Sequence, residues 1–179
     1  MADRAPRTAA PAAVLFDYWN TLVESDQFSA ARGNARLLAL AGDPVQLAEL
    51  QAYEDSILRE IERREDESSL EFSRQSLQRI LNDRFAIRSP LSLEEQEWEF
   101  WSTSMEIRLV DGVRPLLDEL ARRSIRTAVI SNTSFTAGTL RRTLADLGVA
   151  GRFEFVVSSA DYGLRKPHPA IFHAALARM

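Results

Sequence analysis

The chain has 179 residues, 45% hydrophobic and 27% charged, with 22 basic against 26 acidic side chains and a formal charge of −4. One domain, or one with a modest insertion, fits this length, and a chain of this size buries a core without staples. The lack of cysteine excludes disulfides, thiolate metal sites and a cysteine nucleophile, the acidic balance argues against nucleic acid as a partner, and no apolar run reaches the roughly 18–20 residues that span a membrane.

Residues 1–12, rich in Ala, Arg and Pro, have no continuous apolar core of signal-peptide type and read as a disordered lead-in to a cytoplasmic protein. Ala13-Val14-Leu15-Phe16-Asp17 is the short apolar run of a strand buried on both faces, and it ends in the polar-tipped Tyr18-Trp19-Asn20-Thr21. From about 28 to 107 the pattern is helical. A first helix covers 28–40 and is broken by Gly42-Asp43-Pro44. Asp43 can cap the next helix, with Pro44 at its first position. That helix, 44–64, places Leu47, Leu50, Ile57, Leu58 and Ile61 on one stripe, and the charged run 59–67 reads as a solvated face or loop. A third helix covers 70–85. A fourth follows Ser92 and carries Trp98 and Trp101, which read as core packing.

From Gly112 helices and strands alternate: helix 113–123, strand 126–130 ending in Ser131-Asn132, helix 136–147 stopped by Gly148, strand 153–157 ending in Ser158-Ser159, and helix 169–178. This order predicts an α/β parallel-sheet core interrupted by a helical cap. The core comprises 13–21 and 111–179, and an all-helical cap of 22–110 is inserted after the first strand.

Of the 22 basic residues, 21 are Arg and one, Lys166, is Lys. Because the two differ in shape and hydration, a lone Lys either marks a place where only a compact ammonium fits or is drift. Ligands of open parallel sheets bind outside the carboxyl ends of the strands, where the pattern puts Asp17, Ser131 with Asn132, and the loop holding Lys166. Asp17 can attack an electrophile to form a covalent ester. Ser131 and Asn132 can donate hydrogen bonds to substrate oxygens, and Lys166 can keep the carboxylate charged and offset charge in the transition state. Each residue alone reads as well as a helix cap; the three on one sheet edge point to a site. His168 and His173, with no acid or Cys partner, read as structural or exposed, and the seven scattered glycines form neither a dinucleotide loop nor a P-loop.

These stretches resemble the haloacid dehalogenase (HAD) superfamily of hydrolases. Phe16-Asp17-Tyr18-Trp19-Asn20-Thr21-Leu22 is similar to the family's Asp-x-Asp-x-Thr loop, Val129-Ile130-Ser131-Asn132 to its second motif, and Gly163-Leu164-Arg165-Lys166-Pro167-His168-Pro169 to its third. The resemblance covers about residues 13–179, and Asp111-Gly112-Val113 is similar to the family's re-entry into the core. It implies a HAD-like, Rossmann-like core with the helical cap of the first subfamily, and hydrolysis of a small-molecule substrate. Asp17 would be the nucleophile and Thr21 would orient it. Ser131, supported by Asn132, would bind a phosphoryl or carboxylate group, and Lys166 would orient Asp17 and stabilise charge. In the phosphatase branch Mg²⁺ would be held by the Asp17 carboxylate and the Trp19 backbone carbonyl.

Two departures divide the functional expectation. Trp19 stands where the phosphatases carry a second Asp; an indole has no acid–base chemistry near neutral pH, and such help is worth roughly 10²–10⁴-fold in rate. The family's dehalogenases carry an aromatic Tyr there, and a halide leaves without a proton. Those enzymes hold the substrate carboxylate with a cap arginine, for which Arg32 and Arg36 are candidates by position, surface arginines being the plainer reading. The family's fourth motif, on a strand beside the first, has no counterpart before Met179. The expectations are a fragment of a longer protein, an edge at 14–16 covered by a homodimer, or a rearranged fold. Phosphate-monoester hydrolysis leads, 2-haloacid hydrolysis is the alternative on chemistry, and a non-catalytic homologue acting by binding is the third reading.

Overall fold

The computed structural model describes residues 11–42 and 44–179, the side chains of 64–67 excepted. The expected lead-in falls almost wholly, and the Asp43 cap wholly, outside the described residues. In chain order the first elements are β1 (Ala13–Phe16), β2 (Val23–Ser25), α1 (Ala30–Ala41), α2 (Leu47–Ser68), α3 (Arg74–Arg84), α4 (Leu93–Ser104) and β3 (Ile107–Leu109). Then come α5 (Val113–Arg122), β4 (Arg126–Ser131), α6 (Ala137–Asp146), β5 (Val156–Ser158), α7 (Ser159–Tyr162) and α8 (Pro169–Leu176), with a 3₁₀ turn at Ala150–Arg152 before β5.

β1, β4 and β5 form a parallel sheet in the order β1-β4-β5. The register aligns Phe16 with Val129 and Ser131 with Ser158, so the residues that follow each strand gather at one end of the sheet. Side chains alternate across it, as the period of two requires. Phe16, Val129 and Val156 face a core shared with Leu117, Leu140 and Trp101, whereas Leu15, Ala128, Ile130 and Val157 face Ile171 and Ala175 of α8. Among the described strands β1 pairs only with β4, which leaves its other side open within this chain.

The helical segment departs from the sequence expectation at its base. It opens and closes on an antiparallel pair, β2 and β3, with Val23 opposite Leu109 and Ser25 opposite Ile107. The segment of 22–110 is therefore not purely helical. Three residues are too few to show an alternation, and the pairing appears only when the two ends of the insert meet. Helix starts also shift. Ser29 accepts from Arg32 N and opens α1 two residues later than expected. α2 starts at Leu47 rather than at Pro44 and continues to Ser68. α3 starts after Ser73, whose hydroxyl accepts from Ser76 N, because Leu70 is extended and bridges to Leu164. β5 is shorter than the expected 153–157 because a 3₁₀ turn occupies the chain up to Arg152. Ser92 and Glu95 form a capping box at the start of α4, each bonding the other's backbone N–H. Trp101 is in the core, as read, and Trp98 packs against its edge beneath the Arg142 guanidinium, 3.9 Å from the ring centroid. His168 caps α8 by accepting from Ala170 N, and His173 is exposed. No helix among the described residues is long and apolar enough to cross a membrane.

Candidate active site

Asp17 follows the last residue of β1, and the turn behind it is fixed by backbone bonds from Leu22 N and Val23 N to Tyr18 O at 2.9 and 3.1 Å. Its Oδ1 accepts from Tyr18 N at 2.8 Å and from Lys166 Nζ at 2.8 Å. The other carboxylate oxygen has no such partner among the described residues. Lys166 Nζ also donates to Ile130 O at 2.9 Å, which pins the ammonium between the end of β4 and the acid. An ammonium can donate to two nearby acceptors from a single atom, which a planar guanidinium cannot do in the same space. The lone lysine of the sequence thus sits where a compact cation is needed.

Asn132 holds the lysine loop rather than open space. Its Nδ2 donates to Lys166 O at 2.9 Å and its Oδ1 accepts from Lys166 N at 2.7 Å. Ser131, the last residue of β4, is fully buried and its hydroxyl has no partner among the described residues. An unpaired buried hydroxyl costs on the order of 1–3 kcal/mol, and such a group at the end of a central strand is a ready donor to a ligand oxygen. Trp19 is half-buried, with its ring centroid 5.5 Å from those of both Tyr18 and Trp101. Burial pushes the pKa of the Tyr18 hydroxyl up, so this neighbour of Asp17 stays neutral.

Three expected site residues are elsewhere. Thr21 is exposed, and no hydrogen bond links it to Asp17. Arg32 Nη2 donates to Ser104 O at 2.9 Å, and Arg36 pairs with Glu99 at 2.8 Å on the surface. Neither arginine lines the cavity that opens beside Trp19 and Asn132. Both arginines reach α4 at its margin, whereas the buried face of α1 is occupied by Gly33, Asn34, Leu37 and Leu38.

The structure adds residues that the sequence did not single out. Glu71, in the linker before α3, is 3% exposed at its side chain, lies 3.6 Å from Arg165 Nε and accepts from Ser159 Oγ at 2.6 Å. Ser159 Oγ in turn accepts from Thr133 N at 2.8 Å. Backbone bonds from Glu71 N to Gly163 O and from Arg165 N to Ser69 O, at 3.0 and 2.8 Å, complete a strap between the helical segment and the lysine loop. Glu97 of α4 accepts from Thr136 N at 2.6 Å, from Thr136 Oγ1 at 2.9 Å and from Gln75 Nε2 at 2.7 Å. Burial raises its pKa despite these bonds, and Asp161 nearby adds to the rise. Arg74 and Glu54, both buried, form an ion pair beside the cavity. Glu54, Glu71, Arg74 and Glu97 carry no local signal, since their partners lie on other elements.

Magnesium takes about six oxygens in near-octahedral geometry. The Asp17 carboxylate and the Trp19 backbone carbonyl would supply two, and among the described residues no cluster of three acidic or histidine side chains could hold a metal. Because magnesium keeps several waters and is commonly held through one or two carboxylates and substrate oxygens, the remaining positions would fall to water and substrate.

Asp17, held by the sole lysine, thus stands at the carboxyl edge of a parallel sheet, with a largely helical segment inserted after the first strand, a layout of the α/β class. A family model for haloacid dehalogenase-like hydrolases matches residues 11–179, and the chain belongs to that family. Over 86 residues it is 37% identical to haloacid dehalogenase-like hydrolase domain-containing protein 3 of Xenopus laevis, 48% of this chain and 34% of the relative. The human protein of the same name is 36% identical over 84 residues, 47% and 32% of the two chains. These matches span about a third of the length of the curated relatives. Among solved structures, a 2-haloacid dehalogenase from Pseudomonas syringae pv. Tomato DC3000 is 25% identical with a TM-score of 0.59, covering 94% of this chain and 73% of that one. The magnesium-bound putative HAD-hydrolase YfnB of Bacillus subtilis shares the fold at 18% identity and a TM-score of 0.50, covering 96% and 73%.

Proposed function

We propose that this chain hydrolyses a small anionic substrate through a covalent ester on Asp17, with a leaving group that departs without a proton from the protein. A 2-haloacid meets that description. The observation that carries the reading is Trp19, an indole packed against Trp101 where an acid would have to stand to protonate a leaving alkoxide. The free carboxylate oxygen of Asp17 attacks the carbon that bears the halogen. The new C–O bond forms as the carbon–halogen bond breaks, and the halide leaves with the bonding pair. Water then adds to the aspartyl carbonyl carbon, the ester C–O bond breaks, the hydroxyacid departs, and the proton goes to solvent. Lys166 holds Asp17 in place and offsets charge at the reacting centre, and Ser131 Oγ is the unpaired buried donor nearest in the chain to Asn132 for the substrate carboxylate. The 25% identity to a 2-haloacid dehalogenase supports this reading.

A second reading, phosphate-ester hydrolysis, is favoured by the same Ser131 and Lys166, which suit a phosphoryl group equally well. With Trp19 in place it needs a leaving group stable as an anion, such as an aryl oxide. The test is release of halide from 2-chloropropionate and of phosphate from an aryl phosphate, by wild type and Asp17→Asn, with and without Mg²⁺. Metal-independent halide release that needs Asp17 supports the first reading. Phosphate release that needs Asp17, without halide release, replaces it with the second. No Asp17-dependent release of either product overturns both.

A further inference from the structure

We infer that the substrate carries an apolar body, an aryl ring or a branched hydrocarbon, next to its reacting anionic end. This rests on the Asp17 hydrolase reading above. A cavity of about 360 Å³ opens between the helical segment and the strand ends; Asp17, Ser131 and Lys166 do not line it, and it reaches their neighbourhood through Trp19 and Asn132, which follow Asp17 and Ser131 in the chain. Its walls are formed mainly by Phe28, Leu58, Phe72, Phe100 and Phe135 together with Trp19. The Phe28 ring lies 6.2 Å, and the Phe135 ring 6.1 Å, from that of Phe100, so a flat ring entering the cavity meets aromatic edges and faces.

Half of the lining residues are polar, and several of these groups are already engaged. Glu54 and Arg74 pair with each other, the Asn132 amide is closed on the Lys166 backbone, and Glu71 accepts from Ser159. A polyhydroxylated substrate would compete with these existing bonds, which disfavours it relative to an apolar body set against the aromatic rings. A three-carbon haloacid would leave most of the volume unfilled, whereas each buried methylene of a larger apolar body gains roughly four-fold in affinity. Phe28 is the independent sign. It is 57% exposed although it lies at this cavity, so its ring presents apolar surface that a bound hydrocarbon would cover.

The experiment is equilibrium binding to the full chain carrying Asp17→Asn, which cannot turn over. The probes are methyl-, benzyl- and 1-naphthylmethylphosphonate, the carboxylates acetate, phenylacetate and 1-naphthylacetate, and glycerol phosphate as the hydroxylated probe. The expected result is that the aryl members bind at least tenfold more tightly than the methyl member of the same series and than glycerol phosphate. Phe28→Ser should remove at least fivefold of the aryl affinity and leave the methyl member unchanged, with the thermal midpoint as the folding control. Equal or tighter binding of glycerol phosphate, no aryl preference, or no binding of any probe overturns the inference. Aryl preference in a protein that shows no Asp17-dependent release of any product sustains the inference about the cavity and sinks the hydrolase reading. Asp17-dependent turnover of 2-chloropropionate with no gain from an aryl group does the reverse.

Discussion

Replacing Arg74 by Met should be among the most damaging single changes to this fold. Arg74 is 5% exposed and Glu54 1%. The guanidinium pairs with Glu54, donates to Asn34 Oδ1 at 3.0 Å and to Gln78 Oε1 at 2.8 Å, and lies 3.6 Å over the Phe100 ring. Burial pulls its pKa down and Glu54 pulls it back up, which is the balance of a desolvated cation kept charged by one partner. Arg74→Met keeps much of the volume and removes the charge, leaving the Glu54 carboxylate with Asn34 Nδ2 as its remaining donor. A buried charge stripped of its partner costs about 3–5 kcal/mol. For a domain of this size each kcal/mol moves the melting midpoint by about 2–4 °C, so the midpoint should fall by on the order of 10 °C. Removing both charges, Glu54→Leu with Arg74→Met, relieves the stranded acid and should recover at least half of the loss, a coupling of about 2 kcal/mol in a double-mutant cycle by urea denaturation. A loss under about 1 kcal/mol for Arg74→Met, or strictly additive single effects, would refute the claim that these two charges are buried against each other.

Lys166→Arg should fail to rescue activity although it keeps the charge, with kcat falling about 10²-fold or more while substrate binding changes less, because the fork cannot reach both Asp17 Oδ1 and Ile130 O; steady-state kinetics check this. Gly33→Ala should destabilise by about 1–3 kcal/mol despite the better helix propensity of Ala. A Cβ there would meet Ser104 Oγ and come within 2.5 Å of Phe100 Cδ2, where α1 crosses α4; a stabilised variant in thermal melts would contradict that contact. Glu97 has its pKa raised by burial above its unfolded value. The folded state therefore binds the proton more tightly, and this contribution favours folding below the unfolded pKa and is lost as pH rises through the folded one. Between pH 4.5 and neutrality the melting midpoint of wild type should thus fall more than that of Glu97→Gln; parallel pH profiles would show that Glu97 is not buried as described.

The sheet and its reactive edge were legible because their signals are local. Four apolar residues ending in Asp17, and a second run ending in Ser131, announce buried parallel strands and place their polar successors together, and the rarity of lysine draws attention to Lys166. Asn132 was legible as a member of the site but not in its task, since only the folded loop shows its amide closed on the Lys166 backbone. What could not be read depends on partners far away in sequence. The β2–β3 pair joins residues more than 80 apart, and neither three-residue strand carries a pattern of its own. Arg74, Glu54 and Glu97 were not singled out, because an acid or a guanidinium is buried only when another helix supplies its counterpart. The same limit applied to Arg32 and Arg36: helical spacing set their angular positions on α1, but the close approach of α4 at Gly33 decided which face turned inward.

The central claim is a covalent ester on Asp17, and the most direct measurement is rapid quenching of the wild-type protein in turnover, followed by mass spectrometry of the peptide that contains this residue. With a 2-haloacid bearing an aryl group, the account predicts that the peptide gains the mass of the substrate less hydrogen halide, that the gain disappears in Asp17→Asn, and that repeated turnover in ¹⁸O-water leaves heavy oxygen in the Asp17 carboxylate. Turnover that continues with Asp17 unmodified and undiminished in Asp17→Asn would contradict the account.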